Sequence, residues 1–405
     1  MDKTASVFIT LVVYNALLIG VGLWAKNRNR DVQDYFLAGR GLGPWVAAIS
    51  ASASSSSAWT LLGVSGAAYA WGLPALWIFP ATVGGFLINW AWVAPRLKKL
   101  AAKERAVTLS EVIAPVTIGE RRKLILRIAA LIIVFCFTFY VASQFEAAGK
   151  AFESVFGLSK QNSIVIGAAI VLVYTILGGF WAVSVTDSIQ GLLMAVASLV
   201  LPIVALSAVG GVGGLSEGLR QVGNEGSPIV AGGLVSLFFV LGLMGLGLQY
   251  PGQPHVVNRF MALKDDGALR QGQIIAMTWA VLVYSGMLLL GLCARVLFAD
   301  LDDSEQVLFK VAGDLLPAVI AGVMVAAVLS AIMSTADSQL LVAASAISYD
   351  WNLASRDRQA SLMGIRTTVV AVLIMATVLA LVWRSDIWSR VVLRGLRQGL
   401  RLDPS

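Results

Sequence analysis

Six of the eight residues from Ser50 to Ser57 are serine, and Ala58, Trp59 and Thr60 follow. Serine hydroxyls and the carbonyls of an unwound helix are hard oxygen ligands of the kind a small alkali cation takes. Serines also permit local unwinding, because their hydroxyls re-satisfy the backbone groups that unwinding frees. Close packing of helices through small residues would use serine too, but six hydroxyls in eight positions favour ligation. A second polar set recurs at Ser330, Ser334 and Ser338, on one helix face, with Thr335 and Asp337 beside it. A carboxylate near mid-bilayer costs about 2.5–3.5 kcal/mol on insertion scales, so Asp337 is expected to face a cavity, a partner or an ion.

Three further positions could do chemistry. Asp187 follows Thr186 just after Gly178-Gly179-Phe180. It reads equally as part of an ion path or as a carboxylate facing a helix dipole. Gln249-Tyr-Pro-Gly-Gln-Pro-His255 cannot continue a helix through two prolines and a glycine. His255, the only histidine, is expected at the cytoplasmic edge beside Arg259, in a structural role rather than as a proton relay. Cys136 and Cys293 lie in apolar runs and read as small buried hydrophobes, without zinc spacing or a disulfide framework. No nucleotide motif, catalytic triad or metal-protease signature is present, and no enzyme activity is expected. Gly210 to Gly214 reads as an extracellular turn with the wrong spacing for a phosphate loop.

The elements that hold these residues must be membrane helices. Of 405 residues 58% are hydrophobic and 13% charged, and the mean hydropathy is +0.81. Soluble domains are nearer half apolar and one-quarter charged, so this surface must be hidden in a lipid bilayer. Disorder, collagen-like and disulfide-stapled structure are excluded. Ten spans of about 20 residues are expected, at 7–25, 43–66, 71–95, 124–148, 162–181, 187–209, 230–251, 272–297, 314–348 and 365–383. The ninth is long enough to begin with an extracellular helix. The N-terminus lacks the basic region of a cleavable signal.

Basic residues orient the spans. The loops after the first, third, seventh and ninth hold 18 Lys or Arg, Arg259 among them, against six on the other side up to residue 383. The positive-inside rule puts the richer side in the cytoplasm and the N-terminus outside. The net charge of +7 is thereby explained without a nucleic-acid partner.

Ordered stretches over residues 34–350 resemble the sodium/solute symporter family, most closely its bacterial sodium/proline symporters. They are Asp34-Tyr-Phe-Leu-Ala-Gly-Arg40, Ser50 to Gly63 and Tyr174-Thr-Ile-Leu-Gly-Gly-Phe180. Thr186-Asp187 with Gln190, Gly252-Gln-Pro-His255 through Arg259-Phe-Met-Ala262, and Ser334 to Val342 complete the set. The resemblance implies an all-α integral membrane protein of leucine-transporter type. Its inverted repeats would occupy 43–212 and 230–383, each opening with a broken helix. Residues 1–42 would hold the first helix and a cytoplasmic loop.

The resemblance also implies a sodium site at the Ser334 and Thr335 hydroxyls and the carbonyls of Ala53, Ser56 and Ala331. The solute pocket would involve Ser57, Trp59, Tyr140, Tyr250 and Pro254, with Asp187 and Asp337 on the ion path. Sodium/proline symporters carry aspartate where this chain has Ser55 and tryptophan where it has Leu246. The first change would weaken sodium affinity or shift the ion load to Asp337, and the second would enlarge the pocket. Nothing from about Arg394 onward resembles the family. The basic stretch 384–405 is expected to reflect a truncated or shifted reading frame, or else a basic interfacial helix, leaving the second repeat incomplete at its C-terminal end. The implied function is sodium-coupled symport of a small organic solute, an amino acid such as proline, in the inner (plasma) membrane. The alternatives are a solute sensor working with a separate kinase and a non-transporting remnant.

Overall fold

The computed structural model describes residues 3–25, 32–114, 121–223, 233–299, 301–351 and 362–382. Among these the backbone is helical except at turns, and one isolated bridge joins Leu42 to Leu263. In chain order the helices are α1 (Lys3–Ala25), α2 (Val32–Leu37), α3 (Pro44–Ser55), α4 (Val64–Trp71), α5 (Ile78–Leu87), α6 (Ala94–Glu104), α7 (Leu109–Ile113) and α8 (Arg121–Phe156). There follow α9 (Lys160–Ala208), α10 (Gly211–Val222), α11 (Gly233–Leu248), α12 (Pro254–Ala262), α13 (Asp266–Leu297), α14 (Val307–Leu315), α15 (Ala318–Ser345) and α16 (Leu362–Val382).

Every expected span has a helical counterpart. The second is α3 and α4 on either side of an interruption, and the third runs from a 3-10 turn at Leu73–Trp77 through α5 to α6. The fifth and sixth are the two parts of α9, which bends at Gly179 (φ 56°, ψ −160°). Only glycine adopts those angles without strain. The ninth differs in its bounds: the separate helix expected at its start is α14, which ends before Pro317, and 318–350 is one long helix ending in a wide turn. Val209 is the C-cap of α9, and Gly210 (φ +90°) is the N-cap of the amphipathic α10, which Gly211 to Gly214 begin rather than forming a turn. The tail 384–405 lies outside the described residues.

Several hydroxyls inside the spans are satisfied by their own helix. Ser54, Thr138, Thr186 and Ser198 each donate to the carbonyl four residues back. The spans wrap α15, which is buried from Met324 to Ser345, whereas α1 exposes Phe8, Val12, Val13 and Leu17 among others. Glycines set the closest approaches. A Cβ on Gly247 of α11 would stand 2.0 Å from the Ala81 carbonyl of α5, so these two backbones touch. Cys293 is buried as expected, but Cys136 is exposed on the outer face of α8. An apolar run surrounded by lipid does not bury every member.

Candidate functional site

α3 ends where its serines outcompete the helix. Ser54 and Ser55 bond back to Ser50 and Ser52, and Ser56 leaves helical angles (φ −112°, ψ 84°). The chain re-enters a helix at Ala58, with Trp59 N–H on the Ser57 hydroxyl at 3.3 Å. The second interruption lies between α11 and α12, where Tyr250-Pro-Gly252 forms a 3-10 turn and Gln253 is extended. Pro254 takes the first position of α12, where its missing N–H costs nothing.

The two interruptions meet. His255 Nε2 lies 3.1 Å from the Ser54 carbonyl. A carbonyl only accepts, so Nε2 carries the proton in this contact. His255 is 2% exposed and packs edge-on to Phe137 at 5.2 Å. It sits inside the bundle and not at the cytoplasmic edge.

α15 crosses at the same level. Ser334 Oγ donates to the carbonyls of Ala53 at 3.2 Å and Ala331 at 3.3 Å, and Thr335 Oγ1 to the Ser54 carbonyl at 3.2 Å. Four of the five residues expected around sodium are thus joined, and Ser56 marks the end of the same helix. The Ser54 carbonyl was not anticipated. Ser55 turns its hydroxyl onto Ser52 and away from this group. Asp337 is fully buried, but the Ser334 and Thr335 hydroxyls are directed at Ala53, Ala331 and Ser54.

One turn along α3 and α15 lies a charged group. Asp187 Oδ2 accepts from Arg259 Nη2 at 2.6 Å, Ser50 Oγ at 2.9 Å and Ser338 Oγ at 3.3 Å. Arg259 also donates to the Ser50 and Ser338 hydroxyls, both at 2.7 Å, and to the His255 carbonyl. Phe180 lies against the guanidinium at 5.3 Å. Arg259 was expected in a cytoplasmic loop; it is 1% exposed and belongs to α12. Asp187 lies two turns beyond Gly179, too far to answer a helix end. Ser330 faces another way and bonds the Tyr14 hydroxyl of α1 at 2.6 Å.

The expected solute residues divide between the two interruptions, Ser57 and Trp59 at the first and Tyr250 and Pro254 at the second. Tyr140 faces Ser57. Tyr250 bonds Tyr284 through their hydroxyls at 2.6 Å, and Tyr284 contacts Thr60 at 3.4 Å. Phe86 packs on Tyr250 at 4.8 Å. Pro254 shapes the turn and takes no part in this hydroxyl chain. Sequence reasoning missed Tyr284 and Gln144, whose Oε1 accepts the Ala58 N–H at 3.1 Å. A lone glutamine in the apolar span 124–148 was the available signal for Gln144.

Residues 35–391 match the sodium:solute symporter family. The osmoregulated proline transporter OpuE of Bacillus subtilis (strain 168) is 34% identical over 385 residues, covering 93% of this chain and 77% of its own. The sodium/proline symporter of Escherichia coli (strain K12) is 35% identical over 395 residues, covering 94% and 78%. Among solved structures, a sodium-coupled sialic acid symporter in a substrate-bound outward-open state superposes with a TM-score of 0.80 at 18% identity. It covers 93% of this chain and 82% of its own, and supports the leucine-transporter-type bundle as the fold.

Proposed function

The chain belongs to the sodium:solute symporter family, and from that premise we propose that it carries proline with sodium across a bacterial plasma membrane by alternating access. Multi-pass insertion follows from seven described helices long and apolar enough to cross a bilayer. The N-terminus is assigned to the outside by the basic residues, an asymmetry that survives moving Arg259 into the core.

The observation that carries this function is the meeting of two interrupted helices with the Ser334 and Thr335 hydroxyls at one level. Sodium would take the carbonyl oxygens of Ala53, Ser56 and Ala331 and the two hydroxyl oxygens, whose protons would turn away. The re-entrant helix at Ala58 offers its positive dipole end to a solute carboxylate, which would take the Ala58 and Trp59 N–H groups from Gln144 and Ser57. Ser57, Trp59, Tyr140, Tyr250 and Pro254 would enclose the pyrrolidine ring, beside the ion rather than around it. Asp187 and Asp337 are assigned to the ion path below. The repeats at 43–212 and 230–383 would rock around this level. One sodium moved through 100 mV supplies about 2.3 kcal/mol. A roughly tenfold gradient adds about 1.4 kcal/mol, enough for several-hundred-fold accumulation.

The test is proline uptake into proteoliposomes under an inward sodium gradient, with potassium as control. Uptake should require sodium. A sugar or polyol that stabilises the protein in sodium buffer while every amino acid fails would overturn the choice of solute.

A further inference from the structure

α1 precedes the two repeats proposed above and turns much of its surface outward, yet it runs alongside α15. A Cβ on Gly322 of α15 would stand 3.1 Å from the Val7 Cα and 3.2 Å from Thr10, so the two helices touch there. About two turns further along each helix, the Tyr14 hydroxyl lies 2.6 Å from Ser330 Oγ. Ser330 gives its single proton to the Ala326 carbonyl at 2.7 Å, so in this contact Tyr14 donates and Ser330 accepts. The Tyr14 oxygen also faces Gln190 of α9. Gln190 is fully buried, and its amide has no other hydrogen-bond partner among the described residues. Thr10 and Asn15 of α1 are satisfied by carbonyls of their own helix; Tyr14 instead reaches across to a second helix and a third.

We propose that Tyr14 is a positioning residue for the sodium group, holding α15 and α9 in the register at which their oxygens face the first interruption. The inference rests on the sodium site proposed above. Ser330 lies one turn before Ser334 on α15, and Gln190 one turn after Asp187 on α9. A hydroxyl set between them ties one helix from each half of the chain behind the group. In this register Ser334 and Thr335 meet the carbonyls of Ala53 and Ser54, both at 3.2 Å. A binding constellation works when its ligands are held within about 0.5 Å of their places. The apolar contacts between α1 and α15 fix a distance and leave rotation about the helix axis free. A hydrogen bond is directional and fixes the rotation too. Tyr14 therefore acts through Ser330 and brings no ligand oxygen of its own.

The experiment compares sodium titrations of the purified full chain, read as thermal shift without solute and as proline uptake into proteoliposomes. Tyr14→Phe keeps the ring and removes the hydroxyl. It should raise the sodium concentration for half-maximal response roughly threefold to tenfold, the scale of one net hydrogen bond. The proline concentration for half-maximal uptake at saturating sodium should stay the same. Ser330→Ala should behave likewise, and the double variant should lose no more than the larger single one, because both delete one contact. Leu18→Ala removes a fully buried apolar contact of α1; it should lower the melting temperature and leave the sodium dependence unchanged. Size-exclusion profiles identify a variant that fails to fold. Unchanged sodium dependence in Tyr14→Phe, or in Ser330→Ala where Tyr14→Phe does not fold, overturns the inference, and so does an equal rise with Leu18→Ala. If Ser334→Ala with Thr335→Ala alters the sodium dependence and Tyr14→Phe does not, the sodium site stands and only the role of Tyr14 falls. If the Ser334 and Thr335 variant leaves it unchanged, the sodium site itself falls and the inference with it.

Discussion

Ser334 and Thr335 are the residues on which the sodium assignment can fail. Each hydroxyl already contacts a carbonyl of the interrupted helix, so replacing both with alanine removes two ligands from a dehydrated ion. Each unmade buried contact is worth about 1–3 kcal/mol. The sodium concentration for half-maximal uptake should rise tenfold or more in protein that reaches the membrane. Unchanged sodium dependence would remove these residues from the site. Asp187 and Arg259 make a different prediction. Their contact is fully buried, and removing one partner strands the other at a cost of about 3–5 kcal/mol. Asp187→Asn and Arg259→Gln should each lower the melting temperature in detergent more than the double variant does. Strictly additive losses would show that the two charges do not support each other. The serines could be read from the sequence because they cluster within eight positions. The ion pair could not, because its members are 72 residues apart and Arg259 follows a proline-rich turn that resembles a loop.

At the scale of elements, both interruptions were legible because a serine cluster lets a membrane helix unwind and two prolines with a glycine break one. What the sequence hid was the nine-residue α12. A half-helix is too short for a hydropathy window, and its polar residues find partners only in the folded bundle. The contact between α5 and α11 is another feature without a local signature, since glycine is common in membrane helices of every kind. It gives a sharp expectation. Gly247→Leu places a side chain where the Ala81 carbonyl stands, and the two helices must separate. Uptake should fall severely while the chain still inserts, as scored by membrane fractionation and transport. Normal uptake by Gly247→Leu would mean that α11 leans away from α5 in the working protein.

At the scale of the whole molecule, coupling requires that sodium and solute each raise the other's affinity by the same factor. Proline should therefore raise the melting temperature more in sodium than in potassium, and sodium more with proline than without. Additive shifts would refute coupling through a shared site. Span number and polarity were readable because lipid and the positive-inside rule act on composition. The order of packing around α15 was not, because one apolar helix resembles another until its neighbours are known.

The segment before α3 and the end of α12 are joined by backbone: Leu42 N–H donates to the Ala262 carbonyl at 3.0 Å, and Lys264 N–H to the Leu42 carbonyl at 3.1 Å. His255 fastens the same two half-helices at their other ends, through Ser54. Two rods pinned at both ends cannot swing separately; they form a single crank. Each rod comes from a different half of the chain, so neither rod can change its tilt without dragging the other. Synchrony of α3 with α12 needs no message passed between them, because the linkage leaves them no independent stroke.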